Sequence, residues 1–294
     1  MSARLATLVL SGGGTRGAFQ VGAEQVLREE GGFQWERIFG VSVGALNGLL
    51  LAQGQYQGLL DVWRTIRQED VYRKVSWPVI AWRLAVLRKA GIYDASALRK
   101  TIEKYGAGRP FRVPLYVGRV SLLSGAYDLV SSDSPEILDA VWHSATMPVI
   151  WEPIGRGAWV DGGLRNVTPL GDAINVGPGT LVVVNCSPDP PEPAQRPKDI
   201  IAAIKRSIND IATNEIMVND VREFVRINYL VRQAREKGLV LESEAGKPYG
   251  DYEIGIIRPT KPLGDVLDFS RDVIAQRLEA GREAGREFLR NAKP

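Results

Sequence analysis

A short apolar run that ends on glycines opens the chain, and it constrains the fold more than any other feature of the sequence. Residues 5–10 read Leu-Ala-Thr-Leu-Val-Leu, and a serine and three glycines follow at 11–14. A short run with β-branched residues and a glycine stop is typical of a buried strand in a parallel sheet. The apolar spacing over 17–30 then predicts a helix directly after the glycines.

The same strand-to-helix order repeats in the next segment. Glycines at 31 and 32 would end the first helix, residues 37–41 predict a second strand, and residues 43–53 predict a second helix. Strands and helices that alternate in this order indicate a parallel sheet with helices packed on it. The sequence therefore predicts the α/β class.

The rest of the chain continues with both kinds of element. Two strand-like runs joined by a Ser-Gly turn predict a hairpin at a sheet edge, and one unusually long helical pattern predicts a break near 212–214. The predicted strands are 115–121, 126–131, 159–160, 180–186 and 252–257, and the predicted helices are 57–98, 135–144, 199–237 and 266–290. The charged last helix predicts a solvated face. With no internal repeat and no shift in composition, we expect one domain over 1–294, which unites the motif-bearing part at 5–173 with the C-terminal strands and helices at 180–290.

Composition excludes several classes of protein. Hydrophobic residues make up 45% of the chain, which is ordinary for a globular core, and a net charge of +3 provides no concentrated basic face for nucleic acid. Cys186 is the single cysteine, which excludes an internal disulfide, and we interpret it as a core residue. We find no signal peptide and no apolar stretch near the roughly 20 residues that a membrane span needs. We expect a cytoplasmic protein that is peripheral at a membrane at most.

A serine occupies the turn between the second predicted strand and helix. Residues 40–44 read Gly-Val-Ser-Val-Gly and fit G-x-S-x-G, the nucleophile elbow, in which small neighbours leave the serine hydroxyl clear. The motif is weak evidence alone, but the predicted strand before it and helix after it supply the context that it requires. Ser42 is therefore the candidate nucleophile.

The first glycine cluster has two interpretations. Gly12, Gly14 and Gly17 satisfy G-x-G-x-x-G, a dinucleotide fingerprint that needs an acidic residue about 20 positions later to bind the ribose. Glu36 is the one candidate near the end of a strand, but we expect it before its strand. A nucleotide-binding protein therefore stays an alternative, as does a catalytically silent interaction module.

The second interpretation uses the backbone of the same cluster. Consecutive glycines at a helix N-terminus expose N–H groups where negative charge is favoured, which suits the oxyanion of an acyl-transfer transition state. Gly13 and Gly14 are the best donors, followed by the amide of Thr15.

The serine needs a base, and the chain contains one histidine, His143. A triad in the order Ser, acid, His needs an acid between Ser42 and His143. The acids that we weighed in that interval, none in a distinctive setting, are Asp94, Asp133 and Asp139.

The competing base is Asp161, which lies at the end of a predicted strand, at a glycine turn, where α/β enzymes place reactive groups. An Asp-Gly pair also forms ordinary turns, but beside the other two motifs we favour catalysis.

Three motifs in this order and spacing, at 12–17, 40–44 and 161–163, closely resemble the patatin-like phospholipases. The segments 144–148 and 166–169 are also similar to that family, so the resemblance covers about 5–173. Gly163 stands where many members carry alanine. From residue 181 onward no family motif matches.

The resemblance implies a fold and a chemistry. The fold is a three-layer α/β/α sandwich around a largely parallel sheet. The chemistry is hydrolysis of lipid acyl esters through a dyad of Ser42 and Asp161, without calcium, another metal or a cofactor. The implied oxyanion loop consists of Gly12, Gly13, Gly14, Thr15 and Arg16. The Arg16 side chain either adds positive potential near a phospholipid head group or braces the loop through backbone carbonyls.

One segment suggests how the protein would reach lipid. Residues 75–90 are apolar nearly all round if helical, carry Trp77 and Trp82, and have basic flanks. Such a segment suits peripheral membrane contact or a lid over the site. It equally suits a helix packed in the core, and the two interpretations stay open. The expected partners are therefore a phospholipid or other acyl-ester substrate and a membrane surface, with no nucleic acid.

Overall fold

A mixed sheet with helices on both faces forms the centre of the computed structural model, which describes residues 4–72, 76, 78–79, 82, 86, 91–93, 96–176, 179–187, 196–198, 200–243, 246 and 248–291. The strands are β1 (Arg4–Leu10), β2 (Phe33–Gly40), β3 (Gly91–Tyr93), β4 (Leu115–Ser121), β5 (Tyr127–Ser131), β6 (Val149–Trp151), β7 (Trp159–Asp161), β8 (Leu181–Val184) and β9 (Ile254–Ile257). The helices are α1 (Gly17–Glu29), α2 (Val43–Ala52), α3 (Tyr56–Thr65), α4 (Ser96–Gly106), α5 (Ile137–Ser144), α6 (Leu170–Val176), α7 (Ile200–Lys205), α8 (Thr213–Glu236) and α9 (Arg271–Asn291).

The strand order is β5-β4-β2-β1-β8-β9, and β7 also pairs with β4. Every pairing from β4 across to β9 is parallel, while β5 and β7 run antiparallel to β4. The predictions of an α/β fold with a largely parallel sheet and of a β4–β5 hairpin at its edge are confirmed. Strands β3 and β6 pair with each other in a separate small sheet.

The central strand β1 explains why the fold has three layers. Leu8 and Leu10 point into the core cluster shared with α1 and α2, while Val9 belongs to the cluster on the opposite face, under α6 and α8. Successive side chains of a strand alternate between its two faces, so an apolar run buried on both sides needs a layer of helices on each. The apolar run at 5–10 is buried from Ala6 onward for this reason.

Strand β2 begins four residues earlier than predicted. The β1–β2 register shifts between Ala6 and Thr7, which pair with Trp35 and Arg37, so Glu36 is the extra residue of a bulge. Glu36 therefore lies inside its strand and not before it, which corrects the prediction. It remains four residues short of the carboxyl end of β2, where a ribose-binding acid would lie.

The last helix and the region 57–98 also differ from the prediction. The last helix begins at Arg271 instead of residue 266, because the Ser270 amide donates to the Asp268 carboxylate at 2.8 Å in a turn that precedes the helix. The region 57–98 is not helical throughout, since Gly91–Tyr93 forms β3. The predicted break in the long helix is confirmed and starts earlier, as a π-helical stretch at Arg206–Ala212.

Most of the segment at 75–90, including Trp77, lies outside the described residues. Of its large apolar side chains, Val79, Trp82 and Val86 are described, and they are 42%, 52% and 63% exposed. The core interpretation therefore fails for these three positions. In the part of the chain that the structure covers, no helix is both long enough and apolar enough to cross a bilayer.

Candidate active site

Ser42 lies between β2 and α2 in a backbone conformation that serine rarely adopts. Its φ and ψ are 56° and −125°, a strained combination of the kind found at functional turns. The turn is tight because its glycines allow close contact: a Cβ on Gly44 would lie 2.3 Å from the Leu10 carbonyl oxygen, and one on Gly40 would lie 2.4 Å from the Gly44 oxygen. The Ser42 amide donates to the Ser144 hydroxyl at 2.9 Å, which anchors the elbow to α5.

Asp161 ends β7 and is 1% exposed. Its carboxylate accepts a hydrogen bond from the Gly163 amide at 2.8 Å, and the Ser42 side chain lies close enough to lower the pKa of Asp161. Burial raises the pKa of Asp161 to about 7, and the interactions with Ser42 and Gly163 act in the opposite direction. The structure thus brings together the two residues that the motifs single out, with the carboxyl group out of contact with bulk water.

The glycine loop lies beside this pair, and Gly12, Gly13, Gly14 and Thr15 line the same cavity as Ser42 and Asp161. Three of the loop amides are already engaged. Gly12 donates to Val167 at 3.1 Å, Thr15 to Val266 at 2.8 Å and Arg16 to Gly13 at 3.2 Å.

For the amides of Gly13 and Gly14, the described residues offer no hydrogen-bond acceptor. Both residues also have backbone angles that favour glycine, with φ at 156° and 57°. A Cβ on Gly13 would lie 2.5 Å from the Cβ of Cys186, a buried free cysteine, and one on Gly14 would lie 2.4 Å from the Val266 oxygen. The loop therefore exposes two backbone donors where side chains do not fit.

The Arg16 side chain is not part of the cavity lining. It is buried, donates from Nε to the Gly264 oxygen at 2.7 Å and forms an ion pair with Asp210 at 3.4 Å. This geometry favours the interpretation in which Arg16 braces the loop over the one in which it faces a head group.

His143 lies away from the cavity, between the rings of Trp142 and Trp159. Arg119 Nη1 lies 3.3 Å from its Nδ1. Burial and the neighbouring Arg119 lower the pKa of His143 to about 4, so the ring is neutral at pH 7. The structure does not place the histidine where it could take a proton from Ser42.

The cavity itself is largely apolar and extends from Ser42 along α2 toward α3 and α4. Since Val43, Leu46 and Leu50 lie on one face of α2, the lining continues for about 12 Å beyond the serine. Further apolar side chains in the lining are Leu49, Leu59, Val62, Trp63, Leu98, Ile102, Ile150 and Trp151.

Sequence reasoning missed a second wall of the site, which comes from the C-terminal third of the chain. Thr213, Asn214 and Met217 at the start of α8 line the cavity, as do Val266, Leu267 and Phe269. These residues are far from the three motifs along the chain. The nearest local signal in the sequence is the predicted break near 212–214. The helix α8 begins there, and its first residues line the cavity.

Comparison with known proteins gives matches in sequence and in structure. A family model described as patatin-like phospholipase matches residues 8–174, more than half of the chain, and includes all three motifs. The uncharacterized protein YqhO of Bacillus subtilis (strain 168) is 28% identical over 194 residues, which are 55% of this chain and 64% of YqhO. The match thus spans less than two thirds of that relative.

Two solved structures are similar over most of this chain. The crystal structure of VipD from Legionella pneumophila aligns with 99% of this chain and 67% of its own, at a TM-score of 0.46 and 14% identity. The type III effector protein ExoU aligns with 97% and 53%, at a TM-score of 0.44 and 14% identity. At these scores the family assignment depends on the sequence model alone. By that match, the chain belongs to the patatin-like phospholipase family.

Proposed function

We propose that the protein is a serine acyl hydrolase that cleaves carboxylic esters of lipids through a covalent acyl-enzyme, without a metal ion. The observation that carries the proposal is the pair of Ser42 and Asp161 at the wall of an apolar cavity, beside a glycine loop in which two amides have no acceptor among the described residues. Nucleophile, base and oxyanion donors around one space are the parts that acyl transfer needs.

Asp161 acts as the base in this proposal. An ordinary aspartate, with a pKa near 3.9, is a poor acceptor for a hydroxyl proton. Burial raises the pKa of Asp161 to about 7, which is close to the pH where a general base works best. The raised pKa therefore supports a dyad in which no histidine takes part.

The reaction then proceeds in two halves. Asp161 accepts the Ser42 proton while Ser42 Oγ attacks the ester carbonyl, and the amides of Gly13 and Gly14 bind the oxyanion. The alcohol leaves with the proton from Asp161. Water, activated again by Asp161, hydrolyses the acyl-Ser42 ester and releases the carboxylic acid.

The cavity indicates the substrate class. An apolar channel of about 12 Å along α2 suits an acyl chain, because burial of each methylene contributes about 0.8 kcal/mol. A dinucleotide has less support, since Glu36 lies about 13 Å along β2 from the turn at Gly40.

A fluorophosphonate probe and a mixed lipid extract test this proposal. We expect the probe to label the parent protein at Ser42, and the parent to release fatty acids in the presence of EDTA. Ser42→Ala should abolish both results, and Asp161→Asn should lower the rate of fatty-acid release at least about 100-fold. A folded parent that is not labelled would indicate the nucleotide-binding protein or the silent interaction module, and activity in Ser42→Ala would refute the nucleophile. Thioester substrates, assayed in parallel, would show whether the site also cleaves them.

The exposed Trp82 supports a further part of the proposal, contact with a lipid surface. Tryptophan is enriched where a protein meets the membrane–water interface. In liposome flotation we expect Trp82→Ser to bind less than the parent. The matched control is Leu123→Ser, which removes an apolar side chain that is 74% exposed at the β4–β5 turn. Equal losses for the two variants would contradict a specific role for Trp82. Trp77, outside the described residues, and a cytoplasmic location stay predictions.

A further inference from the structure

Arg277 on α9 is a buried cation without a carboxylate partner among the described residues. It is 1% exposed, and no acidic side chain of the described chain lies within ion-pair distance. Burial lowers its pKa, which means that the protein environment disfavours its charge. A guanidinium in such a position needs hydrogen bonds to compensate for the lost water.

The guanidinium obtains these bonds from one segment of chain and from the glycine loop. Its nitrogens donate to the backbone oxygens of Leu263 at 2.8 Å, Asp265 at 2.7 Å and Asp268 at 3.1 Å. Its fourth acceptor is the Thr15 hydroxyl, at 2.6 Å from Nη1. Arg277 thus binds three backbone oxygens of the segment 263–269 and connects this segment to the glycine loop.

The segment 263–269 holds the loop through its own backbone as well. The Thr15 amide donates to the Val266 oxygen, and Arg16 Nε donates to the Gly264 oxygen. Gly14 packs so closely against Val266 that a Cβ there would collide with the Val266 carbonyl. The two loop residues without an amide acceptor, Gly13 and Gly14, directly precede the residue that Arg277 contacts.

We propose that Arg277 is a positioning residue: through Thr15 and the segment 263–269 it sets the Gly13 and Gly14 amides at the place where the oxyanion forms. This inference rests on the proposed acyl transfer at Ser42. It extends the functional site beyond residues 8–174, which the family model matches. It also assigns a role to a helix that the charge pattern alone describes as a solvated face.

Two variants distinguish loss of the contact between Arg277 and Thr15 from loss of the fold. Arg277→Lys keeps the charge and removes the planar fork, while Thr15→Val keeps the shape of Thr15 and removes the hydroxyl. The matched control is Arg282→Lys on the same helix, where the arginine donates to Gln25 and Glu279 and does not touch the loop. The full chain is assayed with p-nitrophenyl butyrate and with the fluorophosphonate probe, and folding is followed by thermal unfolding.

Since misplacement of a reacting group by about 1 Å costs about 100-fold, we expect kcat to fall about 10- to 100-fold in both variants. KM should stay within about twofold, because the acyl-chain cavity is unchanged. Labelling of Ser42 should be slower but should reach the stoichiometry of the parent. The double variant should be no slower than the slower single variant, because both changes break one contact. Arg282→Lys should match the parent.

Other results would overturn the inference. Reduced stoichiometry with an unchanged labelling rate at the sites that react would show that Arg277 only stabilises the fold. A kcat equal to that of the parent in folded Thr15→Val would show that the contact does not position the loop. If the parent itself is neither labelled nor active, the proposed function fails, and the inference fails with it. If the parent is labelled and active but the variants are unaffected, the inference is refuted and the proposed function stands.

Discussion

Asp161 has a buried carboxyl group that, in the proposed mechanism, exchanges a proton with Ser42. Burial raises the pKa of Asp161 to about 7, while the interactions with Ser42 and Gly163 lower it. A residue in this balance titrates in the pH range where an enzyme works. Two predictions follow from the single carboxyl group, one for catalysis and one for stability.

The catalytic prediction concerns the pH profile. Because the base must be ionised, we expect kcat/KM for a short ester to rise about tenfold per pH unit below 7 and to level off above it. His143, with a pKa near 4, is already neutral from pH 5 to 9, so His143→Asn should keep the same midpoint. Rates measured over that range test this. A midpoint that disappears in His143→Asn would assign the titration to the histidine.

Asp161 should change the stability of the fold with pH in the opposite direction to an ion-paired aspartate. Between about pH 4 and 7 the folded protein keeps the Asp161 proton and the unfolded chain does not, so stability falls as the pH rises through this window. Above pH 7, ionisation of buried Asp161 lowers the free energy of unfolding by up to about 4 kcal/mol. Asp161→Asn removes this cost, and its Tm should exceed that of the parent by more at pH 8 than at pH 5. Thermal unfolding at the two pH values measures the difference, and an equal gap would contradict the prediction.

At the scale of elements, α2 contributes to the candidate site in two ways. Ser42 directly precedes its first turn, and its later turns line the cavity through Leu46 and Leu50. Because Leu50 lies two turns beyond the serine, α2 would set the length of acyl chain that the cavity accepts in the proposed function.

Leu50→Trp should therefore shorten the cavity without touching the chemistry. We expect hydrolysis of long-chain p-nitrophenyl esters to fall at least about tenfold, while the acetyl ester keeps its rate within about twofold. A buried Leu50 tolerates added volume only at a cost in stability, so the ratio of the two rates is the measurement. An equal loss on both esters would show that the cavity does not hold the acyl chain.

The elements also show what sequence reasoning could reach. Strand β1, α1 and α2 were predicted to within about one residue at most ends, because glycines and apolar periodicity mark those ends locally. The start of β2 was missed because a bulge at Glu36 depends on the pairing with β1. Ser42, Asp161 and the glycine loop could be singled out as candidates because each lies in a short motif. Arg277 could not be singled out, because its contact with Thr15 spans 262 residues and leaves no local pattern.

On the scale of the whole molecule, the C-terminal third is built into the same body as the motifs. Strands β8 and β9 extend the sheet next to β1, and Gly281 of α9 packs so closely on α1 that a Cβ would lie 2.0 Å from the Phe19 oxygen. A single domain over 1–294 stays a prediction, which unfolding experiments can test.

We therefore expect one cooperative unfolding transition. Far-UV circular dichroism and tryptophan fluorescence should give the same midpoint in urea, since Trp35, Trp63 and Trp151 share one core cluster with Ile274 and Leu278 of α9. Two separate midpoints would indicate that residues 180–290 unfold independently of the motif-bearing part.

The long span between Thr15 and Arg277 also has a consequence for biosynthesis. At about 5–20 residues per second, a ribosome adds Arg277 roughly 10 to 50 s after Thr15. During that interval the nascent chain already carries Ser42 but has neither the guanidinium nor the segment 263–269 that contacts the glycine loop. If Ser42 and Arg277 act as proposed, the activity begins only when nearly all of this sequence has been synthesised.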